Sequence, residues 1–134
     1  MNWIAEYVGK PYVLDGRDDH GLDCWGLVRA VYMDRLDIEL PDYGMVSAAD
    51  SEAVAQALAA GAEAGPWRKV DKPMAMDVVG LWGRVNGKRM MNHVGVYVGG
   101  QSMLHSQAKT LCCIERIDRG KFAQRVAGFW RYVG

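Results

Sequence analysis

The sequence predicts an α+β domain, with helices packed on an antiparallel sheet of about five to six strands. Three observations carry this. Apolar residues recur at helical spacing through the first half of the chain, they alternate from Trp67 onward, and Gly65-Pro66 stands where the period changes. Helices come first and strands second, an order that favours segregated layers over alternating strand and helix units. With 134 residues, 50% of them hydrophobic, the chain fits one domain over residues 1–134 with a single core.

Trp3, Ile4, Tyr7 and Val8 share a helical face, and Gly9-Lys10-Pro11 ends that pattern. A polar, turn-rich segment, Asp15 to Gly21, then leads to Leu22-Asp23-Cys24. Cys24, Leu27, Val28, Val31 and Tyr32 fall on one helical face, so a buried helix is expected to begin at Cys24. Asp23 stands at its N-cap, where a carboxylate accepts the unpaired amide hydrogens of the first turn. Leu40-Pro41-Asp42-Tyr43-Gly44 reads as a loop. A second, Ala-rich helix is expected over residues 51–60, capped by Asp50 and stopped by Gly61. Strands are expected at Val78 to Trp82, His93 to Val98, Met103 to Gln107, Leu111 to Arg116 and Phe129 to Val133. Asn86-Gly87 and Gly99-Gly100 supply turns.

Sixteen basic and sixteen acidic side chains cancel, so no broad field favours nucleic acid or an anionic membrane. No apolar run approaches the roughly eighteen residues of a membrane span. Met1 to Lys10 has neither the basic nor the apolar region of an export signal, and a cytoplasmic site of synthesis is expected. Three cysteines, two of them adjacent, make a poor disulfide framework, and all are read as thiols.

A thiol attacks only as thiolate, and the amide dipoles of a helix N-terminus favour that charge, which singles out Cys24 as a nucleophile. His93 opens Asn92-His93-Val94-Gly95-Val96-Tyr97-Val98. There the valines face the core, His93 lies on the other face, and Gly95 leaves room for a helix N-terminus. If the following loop is centred on Gly99, His105 comes directly opposite His93, with Cβ atoms about 5 Å apart. His105 would then hold the His93 ring, the orienting part of a triad. The same residue types, with His20, are those of a zinc site. There is no C-x-x-C pair and no H-E-x-x-H, however, so no metal or other cofactor is expected. His20 reads as a solvated loop histidine. Cys112 and Cys113 alternate across a strand, without an evident base beside either. Met74, Met76, Met90 and Met91 read as core filler.

Taken in order, Gly9-Lys10-Pro11-Tyr12, Leu22-Asp23-Cys24-Trp25-Gly26-Leu27-Val28, Met76-Asp77-Val78-Val79, His93-Val94-Gly95-Val96-Tyr97-Val98-Gly99 and Leu104-His105 resemble the motifs of the NlpC/P60 superfamily. The resemblance implies a papain-like cysteine peptidase without a cofactor. Cys24 would attack a peptide-type carbonyl, His93 would act as its base, and His105 would be the third triad member. It also implies that Tyr12 reaches the cleft and, with the Cys24 amide, faces the oxyanion. The superfamily's cell-wall members carry Ser after the nucleophile and use the Tyr, Asp and Ser to grip a stem-peptide amine. Here Tyr12 and Asp23 remain and Trp25 replaces the serine, altering the cleft wall.

Asp23 to Arg29, then Leu40-Pro41-Asp42-Tyr43 and Gly128-Phe129-Trp130-Arg131-Tyr132, look most like the phage tail assembly protein K and prophage peptidase branch. That likeness implies hydrolysis of an amide in peptidoglycan stem peptides, between D-glutamate and a diamino acid. The partners it implies are the stem peptide and phage tail proteins, with action at the bacterial wall. Alternatives on the same scaffold are an amidase, an acyltransferase, an injected toxin, or a silent structural tail-tip subunit.

Overall fold

The computed structural model describes residues 3–13, 17–18, 21–40, 56, 59–63, 66–107 and 111–134. A 3-10 turn at Trp3–Glu6 opens the chain, and two short antiparallel strands, β1 (Arg17–Asp18) and β2 (Gly21–Leu22), precede helix α1 (Cys24–Leu36). Helix α1 ends at Asp37, whose left-handed backbone (φ 55°) lets its amide donate to Met33 and Tyr32 carbonyls. Residues 56 and 59–63 are helical, so Gly61 lies inside a helix rather than ending it. The Asp50 cap, His20 and the Pro41 to Gly44 loop fall outside the described residues. Among those described, no helix is long and apolar enough to cross a membrane.

Six strands follow: β3 (Trp67–Val70), β4 (Val78–Val85), β5 (Lys88–Gly99), β6 (Ser102–His105), β7 (Cys113–Arg116) and β8 (Val126–Tyr132). They form one sheet in the order β3-β8-β4-β5-β6-β7, with every neighbour antiparallel. The α+β class and the strand count agree with the sequence. Edge strand β3 was not expected; its half-buried Trp67 and Val70 flank exposed Arg68 and Lys69, which hides any alternation.

Alternation along β5 divides two apolar layers. Val94 and Val96 join Val78 and Leu104 against Leu27, Val28, Val31 and Tyr32 of α1. Tyr97 goes to the other face with Val79, Leu81, Met103, Ile117 and Phe122. Met76 and Met91 pack on the first layer as filler, whereas Met74 is largely exposed.

Candidate active site

Helix α1 begins at Cys24 because Asp23 ends the extended segment. With φ −80° and ψ −176°, Asp23 accepts the Gly26 amide through Oδ1 at 2.7 Å, while its carbonyl accepts the Leu27 amide at 3.0 Å. Only 2% of Asp23 is exposed. Cys24 is half-buried at the first helical position, where amide dipoles favour a thiolate. The expected helix start and cap are both present.

Trp25 turns into the interior, 8% exposed, with its ring 6.4 Å edge-on from that of Trp67. It lines a small apolar cavity of about 30 Å³ with Trp67, Val78, Met91, Val94 and Trp130. Its bulk is largely absorbed by the core, and the apolar hollow it lines is partly open.

His93 and His105 meet, though not by the expected register. Val96 faces Leu104, Tyr97 faces Met103, and Gly99 faces Ser102, with a bulge between Tyr97 and Gly99. The turn is Gly100-Gln101, both with positive φ (59° and 62°), rather than a loop centred on Gly99. Continuing that register by one residue sets His105 across from Gly95, diagonal to His93. A two-residue shift preserves the face, so the rings still converge. His93 Nε2 lies 2.9 Å from His105 Nδ1, with ring centroids 5.1 Å apart at 77°. A further bulge, where Leu81 faces His93 but Trp82 faces Met91, sets the bend of β5 next to His93.

Gly95 explains the close approach. A Cβ there would lie 2.9 Å from Met103 Sδ, 3.0 Å from the Leu104 carbonyl and 3.2 Å from His105 Cβ. The missing side chain therefore admits strand β6 close against β5.

The helix start and β6 are tied together just behind these residues. Ser106, next to His105, donates its buried hydroxyl to the Leu22 carbonyl at 2.7 Å, two residues before Cys24. The Leu22 amide donates to Pro11 at 3.1 Å, and Gly9 and Lys10 exchange backbone bonds of 2.8 and 2.7 Å with Cys112. Tyr12, half-buried, follows this seam. Four separated stretches of sequence are thereby held at one place.

His105 is 1% exposed and stands edge-on to Phe122, centroids 5.1 Å apart. Burial foremost, then Lys121 and Arg125, push its imidazole down to about 4. His93 is lowered too, by burial first and then by His105 and Arg125. Both rings are neutral at neutral pH. Sequence reasoning missed what surrounds His105: Cys113 faces it across β6 and β7, with Sγ 3.7 Å from Nε2. Its thiol is pushed up by burial and by Glu115. Cys112, the other member of the pair, is buried and likewise pushed up by burial.

A helix opening on a capped thiol, laid across an antiparallel sheet that carries a joined histidine pair, defines the class: an α+β domain with the side chains of cysteine-type nucleophilic chemistry. The chain belongs to the NlpC/P60 family, whose pattern matches residues 9–131. Solved structures agree in fold. An NLP/P60 family protein from Staphylococcus aureus, described as similar to a lipoprotein, is 22% identical with a TM-score of 0.68, over 98% of this chain and 39% of that one. An NlpC/P60 family protein from Bacillus cereus is 24% identical with a TM-score of 0.69, over 98% and 38%. This chain thus spans about two fifths of either. The NlpC/P60 domain of the peptidoglycan hydrolase SagA is 26% identical with a TM-score of 0.61, over 94% of this chain and 90% of that one. No curated protein matches the chain.

Proposed function

We propose that the protein is a cysteine peptidase that hydrolyses an amide bond in peptidoglycan stem peptides, with Cys24 as nucleophile, His93 as base and His105 as the residue that positions His93. The observation that carries this is the 2.9 Å contact between His93 Nε2 and His105 Nδ1. It engages Nε2 of His93, and Nδ1 is the nitrogen we assign to take the thiol proton. Membership of the NlpC/P60 family and the likeness to the domain of a peptidoglycan hydrolase support the substrate class.

In this mechanism a single proton lies between the two rings. For Nδ1 of His93 to accept the thiol proton, Nε2 of His93 must hold the shared one and donate it to His105 Nδ1. His105 then carries its own proton on Nε2. The Cys24 thiolate attacks the carbonyl, and His93 returns the proton to the leaving amine. Water, activated by His93, then resolves the thioester. The Cys24 amide and the Tyr12 hydroxyl are proposed as donors to the oxyanion. Asp23 and Tyr12 are proposed to receive the substrate amine. The bond between D-glutamate and a diamino acid, and a place in a phage or prophage tail acting at the bacterial wall, are the finer parts of the same proposal.

Purified stem peptides incubated with the protein are expected to yield fragments whose masses add one water across the cleaved bond. Cys24→Ala should lower the rate at least about ten-thousandfold. Iodoacetamide should label Cys24 fastest, with an apparent pKa well below about 8.5, and this advantage should vanish in His93→Ala. Equal, slow labelling of all three thiols, with no peptide released, would sink the proposal.

A further inference from the structure

Nε2 of His105 faces a second group of metal-ligating atoms outside the proposed relay. Cys113 Sγ lies 3.7 Å from Nε2 and 4.0 Å from Glu115 Oε1, and the three residues offer ligand atoms that all lie within 4.8 Å of one another. The scaffold is rigid: His105 and Cys113 are directly paired across β6 and β7, and Glu115 is two residues along on the same face. His105 is buried, whereas Cys113 and Glu115 are partly exposed, which leaves a path for an ion from solvent. With metal–ligand bonds of about 2.0 to 2.3 Å, the edges of a tetrahedral zinc site are about 3.3 to 3.6 Å. The two shorter edges need to contract by a few tenths of an ångström, and the longest, up to 4.8 Å, by about 1 Å, which rotation of the partly exposed Glu115 side chain can supply, with water as fourth ligand.

We propose that Cys113, His105 and Glu115 form an inhibitory site for a thiophilic divalent cation, and that its occupation excludes catalysis by Cys24 and His93. The inhibitory half rests on the function proposed above; the binding half does not. Binding joins the metal to Cys113 Sγ and releases the thiol proton to solvent, and it takes the lone pair of His105 Nε2. His105 then carries its only proton on Nδ1 and donates it to His93 Nε2. His93 must in turn hold its proton on Nδ1, the nitrogen needed to accept one from a thiol. The cation thus reverses the direction of the hydrogen bond between the rings without moving either. Lys121 opposes binding, its Nζ lying 3.9 Å from Glu115 Oε1 as a built-in competitor.

Zinc is the probe, measured by competition with a chromophoric chelator and, separately, by cobalt substitution, where thiolate coordination gives a charge-transfer absorption. One equivalent should bind to the parent and to Cys24→Ala alike. Affinity should fall at least tenfold in Cys113→Ser and Glu115→Gln and rise several-fold in Lys121→Met. Peptide release by the parent should stop when zinc is added and return with chelator, while Glu115→Gln should keep working at zinc concentrations that silence the parent. ¹⁵N shifts of His105 should move its proton from Nε2 to Nδ1 on binding. Binding lost in Cys24→Ala but retained in Cys113→Ser would place the metal on the nucleophile and overturn the site. Binding as expected in a protein that releases no peptide would leave the metal site standing and remove the peptidase reading.

Discussion

At the scale of single residues, His105 has one acceptor nitrogen toward His93 and nothing else to offer it. Losing that acceptor frees the His93 ring to rotate, so His105→Ala is expected to lower kcat by about a hundredfold or more with little change in KM. His105→Asn, whose amide oxygen can stand in for Nδ1, should restore part of it. Equal losses in both variants would mean that packing against Phe122 matters rather than the acceptor. The same two histidines set a pH dependence of stability. Their folded-state values lie below the ordinary 6.5, so between about 6.5 and about 4 the unfolded chain binds protons that the folded one refuses. Stability should therefore fall as pH drops through that window and be flat above it. Thermal unfolding followed from pH 8 to pH 4, with chelator present, checks this; the slope should lessen in His105→Asn.

At the scale of elements, the helix start and the β5–β6 pair make different demands on the sequence. Asp23 and Cys24 were legible because an N-cap is a local device, visible in a few adjacent residues. The meeting of His93 with His105 was legible in its face but not in its register, because the bulge near Val98 adds a residue that alternation alone does not show. Cys113 was not legible as a neighbour of His105, since that needs the registers of two successive strand pairs. Gly95 is where the register becomes testable. Gly95→Ala would press on the Leu104 carbonyl and His105 Cβ, groups that cannot swing aside as a flexible side chain can. It should destabilise by about 1–3 kcal/mol and, by displacing His105 a few tenths of an ångström, lower kcat roughly tenfold. Wild-type activity at a lowered Tm would show that β6 yields without moving the ring.

At the scale of the whole molecule, the class of fold was legible because the change from helical to alternating period coincides with the passage from the helical residues 59–63 to the sheet. What joins the layers is not written in any one segment. Asp77, just before the strand expected from Val78, is 2% exposed. It accepts Arg131 of β8 through both oxygens, at 3.0 and 2.8 Å, and the Met74 amide at 2.7 Å. Its carbonyl accepts the Tyr97 amide of β5 at 2.8 Å, and the neighbouring Met76 carbonyl accepts the Tyr32 hydroxyl of α1. One short stretch thus ties helix, central strands and the last strand. Asp77→Ala leaves the Met74 amide without its acceptor and leaves the Arg131 guanidinium to the Lys72 carbonyl, 3.3 Å from Nη2. Asp77 is buried while 28% of the Arg131 side chain is exposed, so the loss of a carboxylate that accepts three bonds is expected to lower Tm by several degrees, read by thermal unfolding. Because the carbonyl of residue 77 still serves β5, the far-UV circular dichroism of the folded variant should be unchanged. Adding Arg131→Leu to Asp77→Ala should recover part of the lost stability by removing the stranded charge. Strictly additive losses in the double variant would show that the two side chains act separately.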